Sequence, residues 1–203
     1  MKEGVHYGYL QLPRIEKLMN EAQILGNGVS VTLTQIPVHF TVACNIPQHN
    51  IPYDVTTVID TRVIDHIVEQ QKVMTVWCTQ VVRDYALKKQ APGVYTALLE
   101  PRHRKNSGHH AADQCARMGY HIIHLWGMDS MIKDDLTSQM DTIIPRPNRA
   151  NMLMDWRQMW REVILAHPHT RFVLHTNQTT DSMHYGKNFE IFVHQGSMVQ
   201  VVK

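Results

Sequence analysis

Five short stretches hold residues whose types suit a phosphorylated ligand, four of them at the end of an apolar run and one at a helix start. Gly26-Asn27-Gly28-Val29-Ser30 follows "AQIL", Cys44-Asn45 closes "VHFTVACN", Asp60-Thr61 closes "VTTVID", and "WGMDS" (126 to 130) follows "HIIHL". "NSGHHAA" (106 to 112) stands at the helix start. Gly26 and Gly28 are expected to take positive φ and let the backbone approach a phosphate or ribose. The amides of Asn27 and Asn45 offer donors and acceptors for sugar hydroxyls or a base edge. Ser107-Gly108 would begin a helix whose free N–H groups and positive dipole end favour phosphate oxygens. Asp129 suits ribose hydroxyls or a divalent cation. Each feature also has a plain structural reading, as a turn, an N-cap or a turn-forming acid. Their shared position after strands is what joins them into a binding rim.

The elements that must position this rim read as alternating strands and helices. "AQILG", "VHFTVACN", "VTTVID", "VMTVWCT", "VYTALLE", "HIIHLWGMD", "RFVLHT" and "FEIFVHQ" are short runs rich in Val, Ile, Thr and aromatics, several of them apolar on consecutive positions. That pattern predicts strands buried on both faces, as in a parallel sheet covered by helices. Helical stretches are expected over 12–22, 61–72, 107–120 and 149–167. In the last, Met152, Trp156, Met159, Trp160 and Val163 recur at helical spacing and are read as core. The whole predicts one domain over residues 1–203: an α/β, Rossmann-like, doubly wound and mostly parallel sheet flanked by helices. In such sheets ligands sit beyond the carboxyl ends of the strands, where strand order reverses. "SMIKDDLTSQMDTIIPRPNR" (130 to 149) lacks periodicity and holds two prolines, so it is expected to be a mobile lid.

Composition excludes several classes. With 43% hydrophobic and 19% charged residues over 203 positions, the chain is that of a soluble globular protein. A net charge of +2 is too small for a general nucleic-acid or membrane-surface binder, and nucleic acid is not an expected partner. Cys44, Cys78 and Cys115 have unrelated spacings and read as free thiols in a reducing compartment. No apolar leader and no run of membrane-spanning length occur, so a cytoplasmic location is expected. "PRHRK" (101 to 105) leads into the rim helix and is read as phosphate-contacting. The 14 histidines are scattered, and their pairs lack the accompanying Cys or Glu of a metal site. His121 and His124 would lie on opposite faces of one strand. His110, in the first turn of the rim helix, is the best candidate acid or base, with its pKa expected to be depressed by the helix N-terminus.

"ILGNGVS", then "FTVACN", then "NSGHHAADQCARMGYHIIHLWGMDS" resembles, in order and spacing, a superfamily that contains bacterial sialyltransferases. Motility-associated glycosyltransferase-like proteins and archaeal-type 6-hydroxymethylpterin pyrophosphokinases carry the same signatures. Small phage-encoded proteins of unassigned activity also look similar, which would place this chain in a host cytoplasm. The resemblance spans roughly residues 22 to 130 and implies that Asn27, Ser30, Asn45, Ser107, Gly108 and Asp129 line a nucleotide site. Two departures stand out: Val29 replaces the usual proline, and the lid lacks the histidine that serves the sialyltransferases as general base. Asp134, Asp135 and Asp141 are the lid carboxylates, with Asp135 the candidate base or Mg²⁺ ligand; Arg146 and Arg149 would reach phosphates.

The expectation is therefore a nucleotide-dependent transferase. It would pass a glycosyl group from a nucleotide sugar, or a diphosphoryl group from a nucleoside triphosphate, to an acceptor the sequence does not identify. Mg²⁺ is a candidate cofactor, and a metal site is not assigned to particular residues. The alternative is a catalytically inactive nucleotide-binding, structural or interaction protein on the same fold.

Overall fold

The computed structural model describes residues 20–34, 40–100, 106–134, 138–145, 149–178, 184–195 and 198–202. Nine strands form one sheet: β1 (Glu21–Leu25), β2 (Phe40–Cys44), β3 (Val55–Val58), β4 (Met74–Thr79), β5 (Gly93–Leu99), β6 (Ile122–Trp126), β7 (Arg171–Thr176), β8 (Phe189–Gln195) and β9 (Met198–Val202). Their order is β5-β4-β3-β2-β1-β6-β7-β8-β9. Every pairing from β5 across to β8 is parallel, and β9 closes the sheet antiparallel to β8. The chain leaves β1 toward β2 on one side, and β6 pairs with β1 on the other, so strand order reverses between them. This is a Rossmann-like, doubly wound α/β fold, as the run of two-faced apolar strands predicts.

Burial explains the runs. β1 and β2 are buried at four consecutive positions and β3 at all four of its residues, because helices or loops cover both faces of the sheet centre. β5 is buried only at Leu99, as befits a strand with one neighbour.

Four helices complete the described layers: α1 (Thr61–Glu69), α2 (Gln80–Lys88), α3 (Ser107–Arg117) and α4 (Arg149–Ala166). Asp60 caps α1 by accepting from the Arg62 N–H, and the Thr79 hydroxyl caps α2 by accepting from Val82; such caps contribute about 1 kcal/mol each. α3 and α4 pack Ala111, Ala112, Cys115, Trp160, Val163 and Ile164 onto one face, against Ala22, Ile24, Val42, Ile123, Leu125 and Leu174. α1 and α2 cover the other face over β3 and β4, through Val63, Ile64, Ile67, Val82 and Ala86. Alternation along a single strand separates the two layers: Trp77 belongs to the first, Val76 and Cys78 to the second. Met159, Trp160 and Val163 are buried as expected of a core stripe.

All eight expected strands are present. α2 and β9 have no counterpart in the sequence reading: α2 follows β4 with no intervening glycine or proline, and β9 is five residues at the end of the chain. The helix expected over 12–22 lies outside the described residues except at its end, where Glu21 and Ala22 instead open β1. Among the described residues, no helix is long and apolar enough to cross a membrane.

Candidate functional site

A cleft opens at the carboxyl ends of β1, β2 and β6, at the reversal of strand order. Its wall is made by Gly26-Asn27-Gly28, Cys44-Asn45, Asn106-Ser107-Gly108 and Gly127 to Ser130, closed by Ser138 and Trp156. Seven residues expected from sequence to meet a ligand (Gly26, Asn27, Gly28, Asn45, Ser107, Gly108 and Asp129) therefore converge on one space. Asp60 of the third stretch is spent as the α1 cap and as the ion-pair partner of Arg62, and does not line the cleft.

The two glycines serve a different purpose from the one expected. Neither takes positive φ. A Cβ on Gly26 would run into the carbonyl of Gly127, and one on Gly28 into the carboxylate of Asp129. Their lack of a side chain lets the β1 and β6 loops touch, and Gly26 N–H donates to Trp126 O (2.7 Å) and Gly28 N–H to Gly127 O (3.0 Å). The left-handed residues of the rim are Gly127 (φ +67°) and Asn45 (φ 57°). Asparagine tolerates that region because its amide bonds locally. Asn45 is held there by its N–H on Thr57 O (2.9 Å), by Thr56 Oγ1 on its carbonyl (2.6 Å) and by Ser107 Oγ on its Oδ1 (2.8 Å). The amide NH₂ of Asn45 is left for a ligand acceptor.

Asn27 and Ser30 are likewise structural in their polar contacts. Asn27 Nδ2 donates to Cys44 O (2.8 Å), its Oδ1 accepts from Gln48 N–H (3.4 Å), and its carbonyl accepts from Gln139 N–H (3.0 Å). Its side chain ties the β1 loop to the β2 loop, and its backbone carbonyl ties both to the 138–145 segment. Ser30 is 1% exposed and is absent from the cleft wall, so the expectation that it lines the site is corrected. Its Oγ accepts from Gly127 N–H (3.0 Å) and its own N–H donates to Asp129 Oδ2 (3.1 Å).

That leaves Asp129 Oδ1, buried and without a hydrogen-bond partner. An orphaned buried acceptor costs about 1–3 kcal/mol, more when charged, and calls for a donor in the cleft. Opposite it stands the start of α3. Asn106 caps the helix in a reciprocal box, its Oδ1 accepting from His109 N–H while its N–H donates to His109 Nδ1 (3.2 Å). The cap satisfies the third amide of the helix and leaves those of Ser107 and Gly108 facing outward as an anion-binding end. His109 was passed over in the sequence reading, yet it fixes this geometry. With Nδ1 accepting, Nε2 carries the proton and donates to Trp156 O (2.9 Å), and its ring packs on Trp160. Trp156, read from spacing as core, is half-buried instead and forms the cleft's aromatic wall.

The catalytic candidates fare less well. His110 is 4% exposed and lies off the cleft wall, which corrects the expectation that it faces the ligand. Asp135 and Arg146 lie outside the described residues, as does the 101–105 basic run. Arg149 opens α4, its side chain outside the described residues. Asp134 is 90% exposed and pairs with Arg157 (3.1 Å); Asp141 caps a short turn by accepting from Ser138 N–H (2.8 Å). Cys44 touches the cleft, but burial pushes its thiol up to about 12, with the Thr57 hydroxyl opposing only weakly, so it is no nucleophile at neutral pH. Cys44, Cys78 and Cys115 are all buried free thiols.

The described part of the lid is anchored. Met140 and Ile144 are buried in the core under α1 and α2, Gln139 is tied to Asn27, and Arg157 donates to Ser130 O (3.2 Å) and Lys133 O (2.7 Å). These contacts strap the two described parts, 130–134 and 138–145, to the body of the fold. Among the described residues no group of three or more His, Cys, Asp or Glu is placed to hold a metal ion, and Asp129 is the carboxylate on the cleft wall. A Mg²⁺ ion there would have Asp129 as its protein ligand and would complete its shell from phosphates and water.

Comparison with protein-family models, curated proteins and solved structures found no match.

Proposed function

We propose that the cleft binds a nucleotide or nucleotide sugar and that the protein is a transferase using it as donor, moving a glycosyl or diphosphoryl group. One observation carries this reading: Asp129, with its unpartnered Oδ1, and Ser107 and Gly108, whose amides the α3 cap leaves free, line one cleft at the switch point of a doubly wound sheet. The amides suit phosphate oxygens, Asp129 accepts from a sugar hydroxyl, Asn45 donates to a ring or carbonyl acceptor, and Trp156 supplies a flat apolar wall. Catalysis would rest on positioning and on charge stabilisation by the α3 N-terminus. The order of motifs shared with the sialyltransferase superfamily supports the same reading.

A second reading, a nucleotide binder without catalysis, is favoured by the placement of His110 away from the cleft. The two are separated by experiment. Thermal melting with CMP, UDP, ADP and GTP, with and without Mg²⁺, should show a rise for one nucleotide, since binding to the native state stabilises it. No response to any of them removes both readings. Turnover of a labelled donor of that nucleotide, lost in Asp135→Asn, supports the transferase; binding without turnover supports the binder.

A further inference from the structure

On the face opposite α3 and α4, four side chains from four adjacent strands form one hydrogen-bonded row. Glu21 Oε2 on β1 meets His124 Nε2 on β6 (3.3 Å), His124 Nδ1 meets His175 Nε2 on β7 (2.9 Å), and His175 Nδ1 meets His194 Nε2 on β8 (2.9 Å). The middle is buried, with His175 5% exposed, while Glu21 and His124 at one end are about a fifth exposed. His175 also stacks on Trp126, ring centroids 3.6 Å apart and planes within 8°. The Trp126 indole N–H is buried with no hydrogen-bond partner, so this stack and packing with Leu25 and Val31, and not a polar tether, hold the ring. Trp126 is the last residue of β6, and its carbonyl holds Gly26 at the floor of the cleft.

Counting protons defines the row's states. Each contact needs one hydrogen between its two heavy atoms. With Glu21 ionised and three neutral rings, a single arrangement satisfies all contacts: every Nε2 is protonated, and the donors point in one direction, from His194 through His175 and His124 to the carboxylate. One further proton, arriving at His194 Nδ1, leaves every contact intact. Transfer along the row reverses the donors and sets the positive charge on His124 beside Glu21. A second extra proton placed on a ring, with Glu21 still ionised, has no such solution: two N–H groups then face each other across one of the two imidazole rungs, and that rung parts.

We propose that Glu21, His124, His175 and His194 form an acid-sensing ladder that shares one proton intact and loses a rung when its rings take a second, freeing the His175 ring from its stack on Trp126. The surroundings are consistent with this. Desolvation, then the neighbouring His124 and His194, hold the His175 pKa down at about 2, and burial lowers that of His194. Among the described residues of these strands, the other charged side chains on this face are Arg171 on β7 and Glu190 on β8, which pair with each other. The turn at Val29–Leu33, packed against β6 and β7, contributes no titratable side chain, and neither does β9.

Imidazole ¹⁵N spectra of the full chain test the ladder directly. At pH 8 the three rings should all show the Nε2–H tautomer. On acidification their shifts should move together at one midpoint, followed by a separate lower transition at which Trp126 fluorescence changes; Trp126→Phe identifies that signal. His175→Phe keeps a flat ring on Trp126 but cuts the row, so His124 and His194 should then titrate independently and the fluorescence step should vanish. His194→Gln, which still donates to His175 but takes no proton, should move the lower step down by at least a pH unit and serves if His175→Phe does not fold. Three independent titrations near the ordinary imidazole value in the wild type, or an unchanged fluorescence step in either variant, would overturn the proposal.

Discussion

The cleft and the ladder share β6, Trp126 sitting between them, but they are built by opposite means. The cleft is made of loop residues that leave the sheet at strand ends, and its shape is set by steric approach of one backbone to another at Gly26, Gly28 and Gly127. The ladder is made of side chains in strand interiors, and its shape is set by register. β6 pairs with β7 so that His124 faces Val173 and Trp126 lies level with His175, and β7 pairs with β8 so that His175 faces Phe192. A steric site should therefore break on adding volume at any pH, whereas a protonic one should break on adding protons with no change of volume.

The largest expected effect tests the steric half. Gly28→Ala places a methyl against the Asp129 carboxylate and the Gly127 carbonyl, and should cost about 3 kcal/mol in a denaturant melt, at the upper end of overpacking. An unchanged midpoint would mean that the loops separate freely.

The protonic half comes next. His175 has a folded pKa near 2 and an unfolded one near 6.5, so the unfolded state binds the extra proton. Its stabilising contribution is complete above pH 6.5 and shrinks as pH falls toward 2, by about 1.4 kcal/mol per pH unit. Urea melts of the wild type should lose about 2 kcal/mol from this group between pH 6.5 and pH 5. His175→Phe should show a pH slope shallower by about one proton. Equal slopes would sink the comparison.

Asp129→Asn bears on the ligand alone. It keeps an acceptor for Ser30 N–H but removes the charged orphan oxygen, so nucleotide affinity by calorimetry should fall about tenfold while the melting midpoint holds or rises. Smallest is Asn45→Gly. Glycine relieves the left-handed backbone but forfeits the Ser107 bond, and the two offset each other to within about 1 kcal/mol of stability; binding is where the loss of the amide should register.

The sites differ as much in how far the sequence exposes them. The cleft residues were legible because a strand's end is marked in the chain by the change from apolar run to Gly, Asn, Ser or Asp, and a parallel sheet brings all such ends to one edge. What the sequence left open there was orientation. Asn27 and Asn45 have the same side chain after neighbouring strands, yet one is consumed in bonds to Cys44 and Gln48 while the other retains its NH₂. Ser30 and His110 differ from Ser107 and His109 only in which way a loop or helix turns them. Trp156 was hidden for a related reason: five residues at helical spacing look alike until one turn of the helix is seen to border a cavity.

Of this protein, the amino-acid order alone determined the alternation of elements, the two-faced apolar strands and hence the doubly wound sheet, because periodicity and turn chemistry are local. Only the tertiary structure decided that three histidines on β6, β7 and β8, 19 to 51 residues apart in sequence, meet within hydrogen-bond reach. Strand order and register are long-range choices, fixed by how all the strands pack together. No spacing along the chain records them.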